Sequence, residues 1–309
     1  MIININRLAG LCIVYVFGYV EPQTGIVLPE KISNKYTISL GDQFIKIDPA
    51  NGGRIESLNN GSVNFLTDSS VNDFNWGSTF WLSPQSDWNW PPSAEWDNQP
   101  YSITSAGGKL KMESAPDQRT GLTLTKIFSG NSVNQSYVLE YIITNTSDSV
   151  RKAAPWELTR VHTDGFVFFP SGMGSKRGGL LHMTKEVEGI CWFLYEQEKI
   201  PSSGDTQIYA DGGEGWFAAV NNGFILVKKF PDMPLENAAP LEGEIELYAN
   251  KQLPAKSYVE IEQQGPYQDL KPGQSLSWKM TWFLRKLPEN IKPVYGNGEL
   301  IKYVRDLVK

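Results

Sequence analysis

The sequence predicts an all-β chain, built as one large antiparallel sandwich and closed by a short C-terminal helix. Three observations carry this. Short runs that alternate apolar and polar residues, rich in β-branched and aromatic side chains, recur along most of the chain. Turn residues punctuate them, as in Asn51-Gly52-Gly53 and Asn221-Asn222-Gly223. Helical periodicity is clear once, over 299–309, where Leu300, Ile301, Val304, Leu307 and Val308 share one face.

Taken in order, residues 36–40 and 44–47 alternate, and the 51–53 turn leads into 54–58. Residues 122–128 and 137–144 repeat the pattern, the second run closing in Asn145-Thr146-Ser147. Residues 165–169 are aromatic and apolar and stop at Pro170. Residues 216–220 and 224–227 flank an Asn-Gly turn and read as a hairpin. Runs 244–248, 258–263 and 276–284 complete the sheets. Residues 172–179 (GMGSKRGG) read as a loop, and no repeat or linker divides the chain. One domain is expected over 25–309.

The 309 residues are 40% hydrophobic and 20% charged, enough for a sizeable core. Net charge is −6 with no basic block, which argues against a nucleic-acid partner and suits a neutral ligand. Arg7 followed by the apolar run 8–20 resembles a secretory leader, too short to span a bilayer. Residues 1–24 are therefore expected to be a signal peptide or N-terminal anchor, with the mature protein exported. Cys12 lies inside that run, so Cys191 is left without a disulfide partner and reads as a buried, inert thiol.

Five of the ten tryptophans fall between Trp76 and Trp96, among Asn, Asp, Ser and Pro. A core strand is not expected here. Indoles that cannot all be buried line binding surfaces, where flat faces stack on a ligand and N–H groups find polar partners. Sugar rings offer such a face, rimmed by hydroxyls that suit carboxylates and amides. A loop plugging one end of the core is the structural alternative.

Other chemistry is thin. His162 and His182 are the only histidines, there is no CxxC or HxxxH, and no metal or cofactor is expected. No GxSxG is present, and the GGRIESL run lacks the order of a nucleotide-binding loop. Carboxylates, aromatics and two His remain, the tool set of sugar chemistry.

Three stretches together resemble the galactose-mutarotase-like superfamily, which includes the aldose 1-epimerases. They are Gly52-Gly53-Arg54-Ile55-Glu56-Ser57-Leu58, Ala154-Pro155-Trp156-Glu157-Leu158-Thr159-Arg160, and Val259-Glu260-Ile261-Glu262-Gln263-Gln264 with the Leu270-Lys271-Pro272-Gly273-Gln274-Ser275 turn. More narrowly, the chain resembles a bacterial subfamily of unassigned function. The resemblance implies a β-supersandwich and a mono- or oligosaccharide ligand.

It also implies acid–base chemistry at the anomeric centre, with Glu262 as the base. Along a strand Glu260, Glu262 and Gln264 share one face, and Ile261 and Gln263 the other. The family's histidine pair is not matched. Trp156 and Glu157 stand where one His is expected, and His162 follows a little later. The candidate acids are His162, Glu157 and Glu95. Ligand contacts are expected from Trp88, Trp90, Glu95, Trp96, Trp156 and Gln264, and from the forked donors of Arg54 and Arg160. A non-catalytic sugar-binding module, a glycoside hydrolase using two carboxylates, and a protein-interaction surface are the alternatives.

Overall fold

The computed structural model describes residues 25–106 and 109–309. The expected leader, 1–24, and Cys12 lie outside the described residues. Among the described residues the strands form two antiparallel sheets of eleven strands each. The first runs, from edge to edge, through Thr184–Val187, Ile190–Leu194, Phe166–Pro170, Trp216–Asn221, Phe224–Lys229, Ser275–Lys286, Ser136–Asn145, Leu122–Asn131, Lys109–Glu113 and Ser102–Ala106. Ile26–Val27 adds to it beside Leu122–Asn131. The second runs through Gln207–Ala210, Ile245–Ala249, Val259–Gln264, Arg151–Val161, Ser78–Ser83, Arg54–Asn60, Gln43–Asp48, Lys35–Leu40 and Glu30–Ile32. Gln268–Leu270 pairs with the start of Arg151–Val161, and Val63–Asn64 with the end of Arg54–Asn60.

The period-two pattern decides which residue meets which layer. In Trp216–Asn221 of the first sheet, Phe217 and Ala219 face the second sheet, whereas Trp216, Ala218 and Val220 face away. That outer face is covered by the helix Gly298–Leu307, which lays Leu300, Ile301 and Val304 against Trp192, Trp216 and Phe283. Asn297 caps the helix by accepting the Glu299 backbone N–H at 3.0 Å. Between the sheets, Phe80 stacks on Tyr141 with ring centroids 4.1 Å apart. Burying an aromatic side chain of this size contributes roughly 2–3 kcal/mol.

The Trp-rich run differs from its expectation. Ser78–Ser83, within it, is a strand with all six residues buried. Its Trp, Phe and Leu pack on both faces of the second sheet, and the polar residues that obscure it in the sequence lie on either side. Cys191 is buried, and burial pushes its thiol up to about 12, so it holds its proton at neutral pH. Among the described residues no helix is long and apolar enough to cross a membrane.

Candidate functional site

The second sheet leaves part of its outer face open. Arg151–Val161 lies at its centre, paired on one side with Ser78–Ser83 and on the other with Val259–Gln264. The register sets Trp156 opposite Trp81 and Gln264, Leu158 opposite Glu262, and Arg160 opposite Glu260. Trp81, Trp156, Leu158, Glu260 and Glu262 therefore project on one side. With Asn75, Gln85, Trp90, Gln207 and Tyr248 they line a cleft of about 220 Å³.

Three indoles form the aromatic wall. Trp81 meets Trp90 edge to face at 5.7 Å and Trp156 at 5.8 Å. Trp90 is 51% exposed, so its ring is free to meet a ligand. Trp81 is held from behind: its N–H donates to Asp97 at 2.9 Å, and the Arg160 guanidinium lies 5.1 Å from its ring centre.

Opposite stand the carboxyls. Glu262 accepts the Trp156 indole N–H at 2.8 Å, and Glu260 accepts Arg160 Nε at 2.7 Å. Burial pushes the Glu262 carboxyl well above the usual range, and the neighbouring Glu260 adds to this. Arg160 and the Trp156 N–H pull the other way without overcoming burial. Glu246, directly across from Glu262 on the next strand, is raised in the same manner by burial, Glu242 and Glu262. Gln264 and Gln207 each donate to Glu246. The cleft thus offers the raised carboxyl of Glu262, backed by Glu246 behind the lining, beside Glu260 tied to a guanidinium.

The structure sorts the expected site residues. Trp90, Trp156 and Glu262 line the cleft, and the expected parity holds: Glu260 and Glu262 face it while Ile261 enters the core. Arg160 and Gln264 are wholly buried: Arg160 holds the cleft residue Glu260, and Gln264 donates to Glu246 behind the cleft lining. Trp88 and Trp96 do not line this cleft. They are 4% and 0% exposed and pack edge to face at 6.4 Å, because residues 84–97 fold back over the end of the sandwich. Glu95 sits on the short helix Ala94–Asp97 and accepts the Ser93 hydroxyl at 2.6 Å, away from the cleft.

Arg54 is 2% exposed. It pairs with Asp97 at 3.1 Å and so braces the carboxylate that holds Trp81. Glu157 faces the opposite way, one residue out of phase with Trp156 and Leu158. It is sealed between the sheets, where it pairs with Lys228 and accepts Thr159 Oγ1 at 2.7 Å. His162 lies just beyond Val161 and lines a separate small cavity with Phe166 and Tyr195. None of the three candidate acids, His162, Glu157 and Glu95, reaches the cleft.

Trp81, Glu260, Gln207 and Tyr248 were not anticipated as site residues. The first two carry a signal: Trp81 is the register partner of Trp156, and Glu260 stands two residues from Glu262. Among the described residues no group of three or more His, Cys, Asp or Glu is arranged to hold a metal ion.

Residues 52–285 match the family model described as a domain of unknown function, DUF4380. The chain belongs to the DUF4380 family. No curated protein sequence matches it significantly. Solved structures do resemble this DUF4380 chain. A galactose mutarotase-like protein from Lactobacillus casei superposes with a TM-score of 0.57 at 9% identity, over 81% of this chain and 100% of the other. A second such protein, from Clostridium acetobutylicum, gives 0.52 at 10% identity, over 84% and 98%. A galactose mutarotase related enzyme from Lactobacillus acidophilus gives 0.54 at 10% identity, over 84% and 99%. The DUF4380 chain therefore has the galactose mutarotase-like sandwich fold. At such identity the likeness concerns the fold alone.

Proposed function

We propose that this protein binds a carbohydrate in the cleft between Trp81, Trp90 and Trp156 and the Glu260–Glu262 pair, and acts on its anomeric centre. One observation carries the reading: a half-exposed indole and two carboxyls of unequal character border the same small hollow. The indole stacks on the C–H face of a pyranose, and the carboxyls meet its hydroxyl edge.

The chemistry is acid–base exchange without imidazole. Glu262, which keeps its proton by burial, donates it to the ring oxygen. Glu260, ion-paired with Arg160, accepts the proton of the anomeric hydroxyl. The C1–ring oxygen bond opens as the C1 carbonyl forms. Rotation about C1–C2 and the reverse transfers close the other anomer. Glu262 thus begins the cycle as the acid and serves as the base on ring closure, when it recovers its proton.

Polarimetry with a panel of aldoses tests the reaction, and tryptophan fluorescence titrated with the same sugars tests binding. Acceleration of mutarotation that Glu262→Gln abolishes supports the mechanism. Saturable binding without acceleration for any aldose leaves a non-catalytic sugar-binding module. That second reading is favoured by one feature: no His lines the cleft. Absence of both binding and acceleration removes the carbohydrate reading. Export is part of the proposal and rests on the apolar run 8–20; fractionation of the producing cells, with the N-terminus of the product sequenced, tests it.

A further inference from the structure

A second cleft, of about 340 Å³, opens at the end of the sandwich where the strand Ser78–Ser83 runs out and Arg151–Val161 begins. It is distinct from the sugar cleft, although the 84–90 loop borders both: Gln85 and Trp90 face one, Pro84, Asp87 and Trp88 the other. Its charged lining runs against the chain as a whole. The protein carries −6, yet this cleft gathers Arg119, Arg151 and Lys152 against the single carboxylate of Asp87.

These cations are only partly engaged. Arg119 spends Nη1 on the Trp88 carbonyl at 2.7 Å and lies 3.5 Å from Asp117. Arg151 spends Nε on Ser147 Oγ at 3.3 Å. Lys152 rests its ammonium 4.6 Å from the centre of the Tyr267 ring. A guanidinium has five N–H donors and an ammonium three, so most of their donors stay free of these contacts.

Ser83 provides a separate indication. It lines the cleft and is 2% exposed, yet its hydroxyl has no hydrogen-bond partner among the described residues. A buried hydroxyl left unmatched costs free energy, so a group that accepts its proton is called for. Two guanidiniums, an ammonium and an orphan hydroxyl only lack an acceptor. Oxyanions supply several acceptor atoms together with the opposite charge.

We propose that this cleft binds a small molecule through an oxyanion, a carboxylate, sulfate or phosphate group, held by Arg119, Arg151 and Lys152 with Ser83 donating from the floor. Trp88 and Tyr267 wall the cleft and limit the ligand to about the size of one sugar unit. Asp87 opposes the anion. The site stands whether or not the neighbouring cleft binds a sugar.

Calorimetric titration of the full chain at low salt, with inorganic phosphate, sulfate, glucuronate and neutral glucose, tests it. Saturable binding of at least one anion is expected, weakening as chloride is raised. The responding arm identifies the group. The double variant Arg151→Gln, Lys152→Gln removes two outward-facing charges and should weaken binding about tenfold or more. Asp87→Asn should tighten it. Ser83→Ala should weaken it without lowering the melting temperature, because an unpartnered buried hydroxyl costs stability rather than adding to it. Trp90→Ala, in the other cleft, should leave it unchanged. Failure of all three anions to saturate, or binding by the folded double variant equal to that of the parent, overturns the proposal.

Discussion

The two faces of the strand Arg151–Val161 carry the same kind of chemistry to opposite ends. On the cleft side Arg160 pairs with Glu260, beside the proton-holding Glu262. On the inner side, one residue out of phase, Glu157 pairs with Lys228 of the facing sheet, and both are 0% exposed. Ser78 and Thr159 hydroxyls complete the shell around Glu157. The inner pair is closed and satisfied, so it can hold two sheets in register but has no access to a ligand. The outer group borders open space and keeps unequal carboxyls in contact with it. Access, not residue type, separates an ion pair that only braces two sheets from one that borders open space.

The largest effect should come from breaking the inner pair. Glu157→Ala leaves Lys228 buried without a counter-charge, and a loss of about 3–5 kcal/mol is expected in urea denaturation. Burial lowers Lys228 to about 8 even with Glu157 beside it, and losing that carboxylate should lower it further, so part of the loss should be recovered as pH rises and the amine sheds its proton earlier than in the parent. Replacing both partners, Glu157→Leu with Lys228→Met, should restore most of the stability. An equal loss in the single and double variants would mean that shape rather than charge matters there.

On the cleft side the sign of the comparison reverses. Glu262→Gln should keep the melting temperature within a few degrees, since an amide replaces a carboxyl that is already neutral, while catalysed mutarotation falls by about 100-fold or more. Trp90→Ala comes next. It should weaken sugar binding by about tenfold, roughly 1.4 kcal/mol, with little change in folding because half of the ring is already in water.

The smallest effect separates a third kind of buried carboxyl. Glu244 accepts backbone N–H groups of Met233 and Gly212 at 2.8 and 3.0 Å, and burial raises it to about 8. The folded state then keeps a proton that the unfolded chain releases above about 4.5. The stability this lends is complete below that pH and is lost as pH rises towards 8. The melting temperature should fall by a few degrees over this interval, and Glu244→Gln should flatten the dependence. A variant with the parent's slope would reassign the titration to another group.

Much of the fold was legible because its strands obey a two-residue period. Runs 36–40, 44–47, 216–220 and 224–227 lie within observed strands, and the terminal helix falls at Gly298–Leu307. Ser78–Ser83 was not legible, because both of its faces are buried and alternation vanishes when neither side meets water. The site was half legible. Glu262, Trp156 and Trp90 stood out by type and by resemblance. Trp88 and Trp96 misled as to the cleft that holds Glu262, because an indole in a polar loop reads the same whether the loop opens outward or folds back. Glu157 misled for a simpler reason: its parity with Trp156 already turned it away from Glu262. His162 attracted notice by scarcity, and scarcity says nothing about direction.

The hydrogen bond from Trp156 to Glu262 also equips this molecule with a resident probe. An indole proton shared with a carboxyl group resonates at a position that depends on whether that group is charged. In a nitrogen-correlated spectrum this one crosspeak should track the state of Glu262 through a pH series, and should move again when a guest enters the hollow, with no label attached to the protein surface.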